Sequence, residues 1–302
     1  MIGMQEDQKI NQTQVIGPWK MTWIHFKKKK TAVAGLIIFA ILVLGSTFAP
    51  FLTPYSLETI DKTARNQPPS WEHWLGTDNL GRDYFTRILY GGRVSLKVGL
   101  FAVIISIVLG VIIGGIAGYY GGWVDNVLMR FTEIVMSFPF LPLAITISAV
   151  VGAEMPGEYK MYITMFIIGL LSWPGLARII RGQILSLREQ EFMLAATALG
   201  LSDRRKIFRH LIPNTLGYVI VYATLGMASA ILSESSLSFL GLGVVPPTPT
   251  WGNLVLNARD THILTTRPWL WIPPGLCIFL AVISINLIGD GLRDAVDPKS
   301  HR

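Results

Sequence analysis

Long apolar runs separated by short polar stretches organise this chain. A helix needs about 20 apolar residues to cross the hydrocarbon of a bilayer with its backbone hydrogen bonds closed internally. Six runs pass that test: Thr31 to Pro50, Val98 to Tyr119, Ile134 to Val151, Tyr162 to Ile180, Leu216 to Leu240 and Trp269 to Ile288. The pattern predicts an all-α membrane protein with six transmembrane helices. Pro139 and Pro142, Pro174, and Pro273 with Pro274 interrupt three of the runs and predict kinks or breaks, as in helices that line a cavity. In the second run Gly110, Gly114 and Gly118 recur every four residues, a face that lets another helix approach closely.

Composition agrees with the pattern. The 302 residues are 51% hydrophobic and 15% charged, with a mean hydropathy of +0.47, outside the usual range of soluble domains. The net charge of +7 sits in segments flanking the apolar runs, with no aromatic-rich soluble domain around it, which excludes nucleic acid and leaves the lipid bilayer as the partner. With six spans both termini lie on one side, and that side collects 17 Lys and Arg against eight on the other. The positive-inside rule therefore places both termini and the loop Arg178 to Asn214 in the cytoplasm.

The expected organisation is a cytoplasmic tail over residues 1–30, a first transmembrane helix over 31–50 and an extracytoplasmic loop over 51–93. A transmembrane core over 94–292 and a cytoplasmic tail over 293–302 follow. Lys27 to Lys30 precede a span-length run with no small-x-small cleavage site, so the first run reads as an uncleaved anchor. Cys277, the single cysteine, lies in an apolar run and reads as a small buried hydrophobe. The sequon Asn11-Gln-Thr13 falls on the cytoplasmic side, where it carries no glycan.

The cytoplasmic loop from Arg188 to Asn214 carries the functional argument. Helix formers fill its first half, with Glu189 and Glu191 at the start, where they complement the positive helix end, and Gly200 suited to the left-handed residue that stops it. Ser202 is a candidate N-cap for a second helix that places Arg204, Arg205, Lys206 and Arg209 near the inner headgroups, with Pro213 before the next span. A helix-turn-helix results, its tip lined by Ala195, Ala196 and Ala198, small enough to enter a cleft on another protein.

At this point the loop resembles the signature loop of ABC-importer permeases: glutamate-alanine-alanine, three residues, glycine, and nine residues to a segment ending in leucine-proline. Ala195, Ala196, Gly200 and Pro213 stand at the matching spacing, whereas Leu194, His210 and Ile212 depart from it. Glu191, one turn before Leu194, is the candidate to replace the missing glutamate. Leu75 to Asp83, Ala177 to Gln183, Leu237 to Gly243, Trp251-Gly252 and Gly289 to Pro298 are similar to segments of the second, C-type permease of dipeptide, oligopeptide and nickel importers.

The resemblance implies an ABC importer type I permease fold with a cytoplasmic coupling helix in the loop 188–214, in a bacterial inner membrane. It also implies four kinds of partner: a homologous permease completing a heterodimer, two cytoplasmic ABC ATPase subunits, an extracytoplasmic substrate-binding protein, and a peptide substrate. ATP and Mg would be bound by the ATPases. Glu191, Ala195, Ala196, Gly200, Ser202, Asp203 and Pro213 are the expected ATPase-coupling residues.

The chain's own chemistry is sparse. The dipeptide Gly-Lys does not occur, so no P-loop is present, and the histidines at 25, 73, 210, 262 and 301 lack metal-ligand spacing. The chain thus reads as non-catalytic, with no cofactor or metal of its own. Glu234, with Ser233 beside it, is a translocation-pathway candidate if it lies within the fifth span, and an interfacial residue if it lies beyond. Asp78, Arg82 and Asp83 in the outer loop are candidates for docking a binding protein, with ordinary turn chemistry as the other reading. Two alternatives stand beside peptide import: a nickel-importing permease of the same class, and an ion-driven secondary transporter, which would need ionisable residues at midmembrane and inverted repeats.

Overall fold

The structure is a computed structural model that describes residues 18–296, side chains excepted at Pro18, Trp19 and Glu158. The sequon at Asn11 and the greater part of both predicted tails lie outside the described residues. Among the described residues thirteen α-helices follow one another: α1 Pro18–Lys28, α2 Lys30–Thr47, α3 Ala49–Leu52, α4 Tyr84–Tyr120, α5 Gly122–Ser137, α6 Phe140–Ala153, α7 Lys160–Leu187, α8 Glu191–Ala198, α9 Asp203–Arg205, α10 Ile212–Phe239, α11 Trp251–Val255, α12 Thr261–Thr266 and α13 Ile272–Val296. Among the described residues there is no strand beyond an isolated bridge between Thr77 and Asp83. Five helical stretches among the described residues are long and apolar enough to cross a membrane, or six if the bent pair α5 and α6 counts as one span.

The core forms where α4, α7 and α10 meet. Val98, Ala102, Met165, Ile168 and Leu237 are buried there, and nearer the hairpin Leu176, Ile180, Ile184, Leu211 and Val219 continue the seam. The glycine face of α4 makes the contact possible. A Cβ on Gly110 would lie 2.8 Å from Leu176 Cβ, and one on Gly118 would lie 2.8 Å from the carbonyl oxygen of Arg181. Ile37, Ile41 and Leu44 of α2 point outward, as lipid-facing residues do.

Several expected elements are revised. Helix α4 starts 14 residues before the predicted second span, because Asp83 caps it by accepting from Thr86 N at 2.7 Å, so the last ten residues of the expected outer loop are helical. The third run is not a straight span: α5 and α6 meet at 84°. Phe138 precedes Pro139 and takes extended angles, φ −85° and ψ 131°, because the proline ring excludes the helical region for its neighbour. Pro273 and Pro274, by contrast, fall in the first turn of α13, where no N–H is needed, and interrupt nothing. Helix α1, within the expected polar tail, packs Phe26 against Ala32 and Ala295, and Lys29 Nζ meets Asp294 at 2.6 Å.

The helix-turn-helix is also revised. Ser202 occupies the N-cap position with extended angles, but its side chain makes no capping bond. Helix α9 does not end before the next span; it continues through a π-helical stretch, Lys206–Leu211, into α10. Pro213 explains the wide turn. Its ring would press on the carbonyl of Arg209 in a regular helix and it has no N–H to give, and a π turn relieves both demands.

Candidate functional site

The hairpin between α7 and α10 is built around Gly200. Its φ of +70° places it in the left-handed region, and Leu201 N donates to Ala196 O at 3.1 Å while Gly200 N donates to Thr197 O at 3.0 Å. These two bonds form a Schellman stop, which satisfies carbonyls at the end of α8. Met193 and Ala196 turn inward, Met193 packing with Ile184 and Leu211. Glu191 and Ala195 are exposed, and Pro213 is exposed in the first turn of α10. Of the three tip alanines Ala195 and Ala198 are exposed and Ala196 is covered, and large apolar side chains stand beside them: Leu194 is 62% exposed and Leu199 79%.

The base of the hairpin is clamped. Tyr119 Oη at the end of α4 donates to Asp203 Oδ1 at 2.6 Å, and Lys206 Nζ lies 3.0 Å from the same oxygen. On the other arm Arg188 Nη1 donates to the carbonyl oxygens of Tyr119 at 3.3 Å and Gly118 at 3.5 Å. Asp203 is thus tied to α4 through one oxygen while its side chain stays about half exposed. Nothing in the loop's own spacing singles out Tyr119 or Lys206, because the contact joins positions 84 residues apart.

Glu234 and Ser233 separate. Glu234 is fully buried: Ser95 Oγ of α4 donates to Oε2 at 3.0 Å and Ser238 Oγ to Oε1 at 2.7 Å. Each serine oxygen also accepts a backbone N–H from beyond α10, Trp251 N to Ser95 and Val244 N to Ser238, both at 3.1 Å. The carboxylate therefore joins α4, α10 and the start of α11, and it lines neither of the cavities described next. Ser233 is half-buried and bonds its own helix at Ser229 O, 2.8 Å away.

Hydroxyls line a different space. A cavity of about 370 Å³ lies between α4, α7 and α10, bordered by Ser106, Ser172, Tyr222 and Ser229. A second, about 380 Å³, lies at the α5–α6 elbow against Pro174 and Gly175. Polar side chains at such depth face a wet space or a partner when they are retained. Pro139 and Pro174 were the sequence signal for the second cavity; the serines, which occur throughout the chain, gave none for the first.

In the outer loop, Asp78, Arg82 and Asp83 turn inward. Asp78 Oδ1 accepts from Leu80 N and Arg82 N, and Oδ2 from Arg82 Nε at 2.7 Å. Asp83 shares its other oxygen with His73 Nδ1 at 3.0 Å while capping α4. Hydrogen bonds from the Thr63 side chain and backbone hold the nearby Asp61 carboxyl below the usual carboxylate range. Asp83 holds the loop to α4 through the cap and Asp78 through Arg87, while Arg82 braces Asp78, and the most exposed large apolar side chains here are Trp71 and Trp74.

Long apolar helices, cavities with hydroxyls in their walls and an apolar-tipped hairpin at one end define a polytopic α-helical membrane protein of the transporter type. Residues 106–302 match the family model described as binding-protein-dependent transport system inner membrane component, and residues 17–69 match the N-terminal TM domain of oligopeptide transport permease C. A dipeptide transport system permease protein of Alkalihalophilus pseudofirmus is 43% identical over 289 residues, covering 96% of this chain and 92% of the relative. A putative peptide permease protein of Brucella suis is 42% identical over 284 residues, covering 94% and 92%. A glutathione transport system permease protein of Escherichia coli is 40% identical over 287 residues, covering 95% and 92%. The chain belongs to the family of binding-protein-dependent transport system inner membrane components, the multi-pass permeases of ABC importers with the type I fold.

Proposed function

We propose that the chain is the peptide-conducting permease subunit of an ATP-driven importer, itself non-catalytic. It pairs with a homologous permease, two cytoplasmic ATPases that bind ATP and Mg, and an outer binding protein that selects the peptide. Both termini and the hairpin face the cytoplasm in this reading, supported by the Lys and Arg bias of the loops. The observation that carries it is the hairpin tip: Leu194 and Leu199 stand exposed beside a rigid Schellman stop, an apolar surface suited to a socket on another protein. Peptide is the favoured cargo because three relatives named for peptide, dipeptide and glutathione transport are 40–43% identical along nearly the whole chain.

In the working cycle, closure of the ATPases displaces the hairpin, and α7 and α10 carry the displacement to the cavity between them. The two membrane states must lie within a few kcal/mol for ATP and the loaded binding protein to shift the population. Gly200→Val tests this. No atom lies within 4 Å of the added Cβ, so the substitution acts through the positive φ alone, at about 1–2 kcal/mol. Expected is normal membrane insertion with uptake of labelled dipeptide reduced at unchanged ATP hydrolysis. Wild-type dipeptide uptake by the variant refutes the coupling role, and nickel uptake without peptide uptake by the parent refutes the cargo.

A further inference from the structure

The cytoplasmic end of α4 is gripped from both arms of the hairpin. Arg188, three residues before α8, reaches the carbonyls of Gly118 and Tyr119; Asp203, at the start of α9, accepts from Tyr119 Oη at 2.6 Å. Lys206 Nζ closes the group, 3.0 Å from Asp203 and 5.5 Å from the centre of the Tyr119 ring, with the residue 8% exposed. The chain then turns at Gly121 and Gly122 into α5, whose Asp125 takes two bonds from Arg181 of α7, each 2.5 Å. Helix α5 ends at the 84° elbow that borders the cavity of about 380 Å³.

We propose that Tyr119, Asp203, Lys206 and Arg188 form a clamp that makes the hairpin and the α4–α5 corner one rigid body. Displacement of the hairpin then moves α5 and its elbow directly, as well as through the covalent route into α7 and α10. Tyr119 is the positioning residue at its centre, since its backbone oxygen serves one arm and its hydroxyl the other. The clamp stays closed through the cycle; it transmits and does not switch. The proposal rests on the reading of the hairpin as the ATPase contact.

The test uses the complete transporter in proteoliposomes with its binding protein, read as peptide moved per ATP hydrolysed. Tyr119→Phe removes one hydroxyl and keeps the ring over Lys206; the ratio is expected to fall about fivefold, the effect of losing a part-exposed hydrogen bond to a carboxylate. Asp203→Asn, at an exposed position, gives the same readout should Tyr119→Phe not assemble. In a Cys277→Ser background, Tyr119→Cys with Asp203→Cys is expected to lose coupling when reduced and regain it when bridged by a short bis-thiol reagent cleavable by reductant. A merely structural role gives no such reversible rescue. A wild-type ratio in Tyr119→Phe or Asp203→Asn, or a bridged form that is inactive until reduced, overturns the clamp. Failure of the ATPases to purify with the parent chain overturns the hairpin reading, and the clamp with it.

Discussion

Replacing Glu234 with alanine removes two acceptors from a site with no solvent to substitute for them. The Ser95 and Ser238 hydroxyls each lose their carboxylate partner, at roughly 1 to 1.5 kcal/mol apiece, and the four side-chain heavy atoms removed leave a gap between α4 and α10. The sum is about 3 kcal/mol or slightly more. Glu234→Gln keeps the shape and one acceptor, so its cost is about 1 kcal/mol. For a chain of this size each kcal/mol lowers the melting temperature by about 2–4 °C, which gives roughly 6–12 °C for alanine and 2–4 °C for glutamine. Cys277, half-buried in α13 and the single cysteine, supplies the assay: a thiol-reactive dye reports its exposure as detergent-solubilised protein is heated. If Glu234→Ala melts within about 2 °C of the parent while uptake fails, the residue works in transport and the structural account of it is wrong.

Gly114→Leu sets a side chain against the Ala177 backbone of α7, whose Cα and carbonyl carbon lie 3.0 Å from the first added atom; no rotamer relieves that, and little folded subunit is expected in the membrane by quantitative blotting. Asp83→Ala removes the cap of α4 and the His73 contact together, so a loss of about 2 kcal/mol and faster proteolysis of the outer loop are expected in a limited-digestion series. Unchanged digestion kinetics would show that the loop is held by other contacts.

The apolar runs located the crossing segments well because hydrocarbon imposes its length on sequence directly. Their ends were less legible. Arg87, Arg93 and Lys97 interrupt the apolar pattern, yet α4 runs through all three, with Arg87 buried against Asp78 and Arg93 bonded to the carbonyls of Ser46 and Thr47. Pro139 announced a break but not its angle, which is set by what α5 and α6 pack against. Gly200 was legible because a positive φ selects for one residue type. The inward turn of Asp78, Asp83 and Glu234 was not, since a carboxylate reads alike in sequence whether it meets solvent or two hydroxyls from distant helices.

The length of α4 settles where its polar half resides. Thirty-seven residues rise about 55 Å, against a hydrocarbon layer of about 30 Å, and fitting the whole rod inside would require a tilt near 57°, beyond the 0–40° that spanning helices adopt. Even at a 40° tilt about 16 Å, some three turns, must project past the acyl chains. Since Arg87, Arg93 and Lys97 all lie in the Tyr84 half and no charged residue follows them in α4, the overhang is expected at the Tyr84 end, where Arg87 escapes the penalty that a guanidinium meets at midplane depth.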